Sequence, residues 1–189
     1  MHIIIGLGNP GVKYEKTRHN MGYRAADKLA ERNGIEFRKE KFDSLVGEGM
    51  IGGERIIVAK PLTYMNLSGQ AARKLISFYK IPADNMIIVY DDIDLPIGSL
   101  RIRKSGGAGT HNGMRSICEE VGTGEFIRVR LGIGNSGGDL INYVIGKVPR
   151  HEQTVLNETA EAGAKAVEDI IKYGADEAMN MDNLIRHED

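Results

Sequence analysis

Cysteine occurs once in these 189 residues, proline five times and tryptophan not at all, while phenylalanine and tyrosine supply an aromatic content of only 6%. A single thiol, Cys118, excludes an internal disulfide and fits a reducing compartment. It sits beside Ile117 in a helical stretch, which predicts burial rather than reactivity. With so few aromatics to stack on bases, any nucleic-acid contact is expected through the phosphate backbone. No apolar run reaches the length of a membrane span, and Met1-His2-Ile3-Ile4-Ile5 enters a strand without a secretory-signal pattern. Neither a linker nor an internal repeat divides the chain. At 41% hydrophobic and 27% charged residues, the composition fits one soluble domain with one core, expected in the cytoplasm.

The net charge of −1 conceals a division. Residues 1–150 carry 22 Lys/Arg and 16 Asp/Glu, whereas residues 151–189 carry 3 and 10. A basic body with an acidic terminal segment can hold a polyanion on one face and remain soluble. The plainer reading is that the acids only solvate the outer faces of the last helices.

Strands and helices alternate along the chain. Ile3–Ile5 reads as a central strand ended by Gly6, and Met21–Arg32 as a helix stopped by Asn33-Gly34. Leu45–Ile51 and Arg55–Ala59 flank Gly52-Gly53 as a tight hairpin. A helix over Leu67–Tyr79 precedes Met86–Tyr90, the clearest buried strand, which ends at Asp91-Asp92. Leu100–Arg103 and Ile127–Ile133 are further strands around a helix from Asn112 to Val121, and Pro149 opens a long helix before a short last one. The expected fold is a single α/β domain over residues 1–189: three α/β/α layers around a mixed, mostly parallel twisted sheet, with an acidic helical segment at 150–189. Ligands of such sheets bind beyond the carboxyl ends of the strands.

Chemistry-bearing residues gather at those ends. His19-Asn20 and His111-Asn112-Gly113 each set an imidazole beside an amide in a polar loop. Imidazole exchanges protons near neutral pH, and an amide can position a carbonyl without carrying charge. Asp91, at the end of the buried strand, is placed to hydrogen-bond an imidazole, fix its tautomer and raise its basicity. Asp92 and Asp94 read as turn and helix-cap groups, and no metal-ligand spacing accompanies the three acids, so neither metal nor cofactor is expected. Asn66 could cap the helix that follows it or, like Asn9, face a substrate.

Gly6-Leu7-Gly8-Asn9-Pro10-Gly11 matches the dinucleotide fingerprint, but the irregular stretch after it and the following hairpin argue against that use. The Gly-rich run before His111 lacks the ending of a P-loop. Around it, Arg101 and Arg103 share one strand face, as do Arg128 and Arg130; with Lys104 they form a candidate phosphate-contact patch or, alternatively, a charged sheet edge. Gly134-Asn135-Ser136-Gly137-Gly138 fits a nucleophile elbow, yet the later His151 and His187 have no convincing acid partner.

Taken together, Gly6 to Gly11, Thr17-Arg18-His19-Asn20-Met21-Gly22, Lys60-Pro61-x-Thr63-Tyr64-Met65-Asn66-x-Ser68-Gly69, Asp91-Asp92-x-Asp94-Leu95-Pro96-x-Gly98 and His111-Asn112-Gly113 resemble bacterial-type peptidyl-tRNA hydrolases from Ile3 to about Pro149. That resemblance implies a usually monomeric α/β enzyme that hydrolyses the ester between a peptide and the 3′ end of tRNA. It makes His19 the base and Asp91 its partner, Asn9, Asn66 and Asn112 substrate-positioning residues, and Tyr14, Met65, Gly109 and His111 the channel lining. The residues agree on reaction class: with no supported nucleophile, a His-activated water is the simplest hydrolytic machinery. The alternatives are a non-catalytic RNA-binding protein of the same fold and an unrelated serine esterase using Ser136.

Overall fold

The computed structural model describes residues 1–186. Its strands are β1 (His2–Gly6), β2 (Phe37–Lys41), β3 (Ser44–Ile51), β4 (Glu54–Pro61), β5 (Met86–Asp92), β6 (Leu100–Arg103) and β7 (Ile127–Gly132). Its helices are α1 (Met21–Arg32), α2 (Ser68–Tyr79), α3 (Asn112–Val121), α4 (Leu140–Ile145), α5 (Arg150–Tyr173) and α6 (Ala175–Asp182). The sheet order is β2-β3-β4-β1-β5-β7-β6. The four central strands β4, β1, β5 and β7 run parallel, while β3 and β6 are reversed at the two sides. Central strands buried on both faces explain the unbroken apolar runs at Ile3–Ile5 and Met86–Val89.

Two apolar layers enclose the sheet. On one face Ile4, Ile56, Val58, Ile87, Val129 and Leu131 meet Ala25 and Leu29 of α1 and Leu156, Ala160, Ala164 and Val167 of α5. On the other, Ile3, Ile5, Ile57 and Ile88 meet Ala72 and Leu75 of α2 and Met114 and Ile117 of α3. Small residues bring helix and sheet close at the site. A Cβ on Gly6 would lie 2.2 Å from the Gly22 carbonyl oxygen, and one on Gly22 would lie 2.2 Å from that of Val89. Only glycine at both positions lets the start of α1 rest on the ends of β1 and β5. The chain leaves β1 for β4 on one side and later returns to β5 on the other, so a crevice opens at their carboxyl ends.

Several local expectations change. β2, rich in charge, is an edge strand, and its turn to β3 uses Phe42 (φ 57°) and Asp43 (φ 52°); Asp tolerates positive φ, but a Phe there gives no sign of it. The six-residue α4 also had no sequence signal, its Leu-Ile-Asn-Tyr-Val-Ile reading equally well as strand. No helix follows Asp94; it lies exposed in a turn whose N–H is held by Asp92. Cys118 is half-buried rather than enclosed. At the β6 edge, Leu184 exchanges both backbone hydrogen bonds with Leu100, and Asn183 Oδ1 accepts from Ile102 N–H. No helix of the described residues is long and apolar enough to cross a membrane.

Candidate active site

Asp91, next to last in β5, is 1% exposed, with an imidazole on each oxygen. His19 Nδ1 lies 2.8 Å from Oδ2, and His111 Nε2 lies 2.8 Å from Oδ1. Burial alone would push this carboxyl up, but the two imidazoles, by charge and hydrogen bond, hold it well below the usual carboxylate range. His19 feels the same balance from the other side. Burial pulls its pKa down, and the Asp91 charge and hydrogen bond outweigh that and raise it above the ordinary histidine value. The carboxylate therefore stays ionised and favours a proton on His19.

The bonding pattern fixes both rings. His111 is the N-cap of α3, its Nδ1 accepting the Met114 N–H at 3.3 Å, so Nε2 carries the proton given to Asp91. His19 donates through Nδ1, which leaves its Nε2 lone pair with no protein partner among the described residues. The rings lie 4.9 Å apart between centroids, with Tyr90 edge-on to His111. Sequence spacing singled out both histidines. That they share one carboxylate depends on tertiary register, which spacing alone does not contain.

His19 sits on a single 3₁₀ turn, Arg18–Asn20, whose two flanking residues are anchors. The buried Arg18 donates to Glu152 at 2.5 Å and to the Tyr143 carbonyl at 3.1 Å, and lies over the Tyr143 ring. Asn20 clasps the backbone of Asn9, accepting its N–H at 2.9 Å and donating to its carbonyl at 3.0 Å. The Asn9 side chain in turn accepts the Met65 N–H through Oδ1 at 2.8 Å. This fixes the amide and leaves Nδ2 as a donor with no protein partner among the described residues. Met65 is buried beside Gly113, where a Cβ would meet its sulfur at 2.6 Å and His111 Cε1 at 3.1 Å. Asn66 and Asn112 are exposed on either side, and Asn66 caps no helix, since α2 starts after Leu67 without a side-chain cap. Arg18 and Asn20 were missed as supports; their adjacency to His19 was the available signal.

On the other side of His19 opens a cavity of about 370 Å³. It is lined by His19, Asp91, His111 and Asn112, the loop Ser105–Thr110 with Gly109, Arg103, Arg128 and Arg130, and Leu140, Ile141 and Val144 of α4. Asn9, Tyr14, Met65 and Asn66 are not among the residues that line it. Register places Arg101 opposite Arg130 and Arg103 opposite Arg128, so all four start from one sheet face. Their environments differ. Arg128 is 2% exposed and donates to the carbonyls of Gly106, Gly107 and Gly124, over the Phe126 ring. Its donors serve the loop, which removes it from the surface patch expected to meet phosphates. Arg130 donates to Asp92 at 2.6 Å, and Lys104 pairs with Asp176 of α6 at 3.0 Å. Arg103 is exposed and Arg101 half-buried, neither in an ion pair among the described residues.

Ser136 is exposed, and its hydroxyl accepts only the Gly138 N–H, at 3.4 Å. His187 lies outside the described residues. Among those residues, His19, Asp91 and His111 are also the one set of three ligating side chains close enough to share a cation, but their facing atoms are joined by hydrogen bonds.

A family model described as peptidyl-tRNA hydrolase matches residues 3–188. The chain is 50% identical over 184 residues to the peptidyl-tRNA hydrolase of Alkaliphilus oremlandii, covering 97% of this chain and 100% of that one. It is 50% identical over 186 residues to that of Chloroflexus aurantiacus, covering 97% and 99%. The crystal structure of peptidyl-tRNA hydrolase from Acinetobacter baumannii superposes with a TM-score of 0.92 at 34% identity, covering 98% of this chain and 96% of that one. A 5′-methylthioadenosine/S-adenosyl homocysteine nucleosidase from Campylobacter jejuni, at 9% identity and a TM-score of 0.57, covers 91% of this chain and 99% of that one and shares the fold alone.

Proposed function

This chain belongs to the peptidyl-tRNA hydrolase family, and we propose that it performs that reaction through the Asp91-bridged pair of imidazoles. It cleaves the ester joining a peptide to the 3′ end of tRNA and releases free tRNA. The observation that carries the mechanism is the unpartnered Nε2 of His19, held at the cavity by a carboxylate that stabilises its protonated form.

A water takes position beside His19 Nε2 and gives up a proton as its oxygen attacks the ester carbonyl. The imidazolium that forms is held by the Asp91 charge across the 2.8 Å bond. Asn9 Nδ2, aimed by the Met65 N–H on the opposite atom of the amide, donates to the developing oxyanion. Collapse expels the ribose oxygen, which takes the proton back from His19. The products are a tRNA with a free 3′ hydroxyl and a peptide acid, which ionises to the carboxylate by releasing the second water proton to solvent. Asn66 and Asn112 hold the peptide and the terminal nucleotide, with Tyr14, Met65, Gly109 and His111 shaping the channel. Arg101, Arg103, Lys104 and Arg130 are the cations offered to tRNA phosphates on the cavity side. The reading includes a monomer that works in the cytoplasm.

A serine route has no support in the surroundings of Ser136. The test is hydrolysis of N-acetyl-aminoacyl-tRNA in ¹⁸O-water. The label is expected in the carboxylate, as an acyl-enzyme route would also give, so the discriminating results are that no acyl-enzyme forms and that Ser136→Ala is fully active. An adduct trapped on Ser136 would refute the mechanism.

A further inference from the structure

Of the five cations expected to meet phosphates, one is buried beneath the Gly-rich loop and two are in ion pairs. A second basic surface stands on the other side of His19. A cleft of about 840 Å³ lies between residues 12–17 and 145–153. Lys13, Lys16, Lys147 and Arg150 line it; all four are exposed and none is in an ion pair among the described residues. Lys13 lies 5.4 Å above the Tyr14 ring. The acid lining the cleft is Glu15, and nearby Glu152 is occupied by Arg18.

The linings of the cleft and of the catalytic cavity adjoin along the chain. Thr17 lines the cleft and His19 the cavity; on α4, Ile145 lines the cleft and Val144 the cavity. Cα atoms one and two residues apart are at most ~4 and ~8 Å apart, so the two openings adjoin, and a polyanion whose end reaches His19 can extend its following phosphates toward these four cations. Once that end is bound, the second contact forms within one complex, and even weak charge pairs then contribute. Lysines act as flexible point charges and read no sequence. No aromatic side chain lines the cleft, so it offers backbone contact rather than base stacking.

We propose that this cleft is a second, sequence-independent contact for the phosphate backbone of the tRNA whose 3′ end occupies the His19 cavity. It rests on the proposed function and extends the substrate contact to a face that the sequence reading left unassigned.

The test compares wild type, the double variants Lys13→Gln/Lys16→Gln and Lys147→Gln/Arg150→Gln, their combination, and Glu15→Gln. Uncharged tRNA binding is measured against NaCl concentration, and hydrolysis is measured on N-acetyl-aminoacyl-tRNA and on N-acetyl-aminoacyl-adenosine. Each lost contact should flatten the slope of log affinity against log salt by ~0.7–0.9. The combined variant should thus lose a slope of about 3 and bind tRNA at least roughly tenfold more weakly at low salt. Its turnover of the adenosine ester should stay within about twofold of wild type, since that substrate lacks remote phosphates. Glu15→Gln should shift tRNA affinity the opposite way. An unchanged slope in the combined variant, with a wild type that cleaves both esters, overturns the cleft alone. So does equal loss on both esters. A wild type that cleaves neither ester overturns the proposed function, and the cleft with it.

Discussion

Asp91 carries two imidazoles on one carboxylate, and most of the site's chemistry follows from that single residue. Under the proposed mechanism, His19→Ala is expected to slow the chemical step by about 10²–10⁴-fold with the fold intact, read by single-turnover hydrolysis alongside circular dichroism. Asn9→Ala removes both a donor and the acceptor of the buried Met65 N–H. Stability should fall by about 1–3 kcal/mol in denaturant unfolding, together with a loss in kcat. A variant with unchanged kcat would remove Asn9 from the oxyanion. His19 and Asp91 were legible because a histidine in a polar loop and an acid ending an apolar run are both unusual placements. The double duty of His111 was not, since capping α3 while holding Asp91 requires coordinates from two elements.

At the scale of elements, the site depends on how closely α1 approaches the sheet. Gly22→Ala would drive its Cβ into the Val89 carbonyl, so α1 and the turn bearing His19 must move. We expect destabilisation of about 1–3 kcal/mol and a fall in kcat larger than in KM. Full activity would mean that the approach does not set the position of His19. The Ser105–Thr110 loop is the second such element, tied by Arg128 through two of its carbonyls, Gly106 and Gly107, and to Gly124 beside it. Arg128→Met should speed amide hydrogen exchange across this loop and raise KM for tRNA esters; unchanged exchange would contradict the role of Arg128. The Gly52-Gly53 hairpin and the long helix after Pro149 could be read directly, because glycine with positive φ and proline at a helix start have few other uses. Alternation correctly put each arginine pair on one face of its strand, and the β6–β7 register puts the two pairs on the same face. Alternation could not tell that a loop would cover one of them.

Across the whole molecule, the acidic terminal segment is less a solvated tail than a partner for the body's cations. Glu152 holds Arg18, Glu161 and Glu168 hold Arg32, and Asp176 holds Lys104. The charge division seen in sequence thus has a local cause, which leaves exposed unpaired cations on both sides of His19. The central claim is that His19 acts as a base tuned by Asp91, and the most direct measurement is the pH dependence of single-turnover hydrolysis of N-acetyl-aminoacyl-tRNA. Asp91 raises the His19 pKa, and the active form is the neutral ring, so the rate should climb with pH through a midpoint above the ordinary histidine value. In Asp91→Asn the plateau should fall and the midpoint move to lower pH, because the charge that favours imidazolium is gone. The same midpoint in both proteins, or a limb that persists in His19→Ala, would contradict the account.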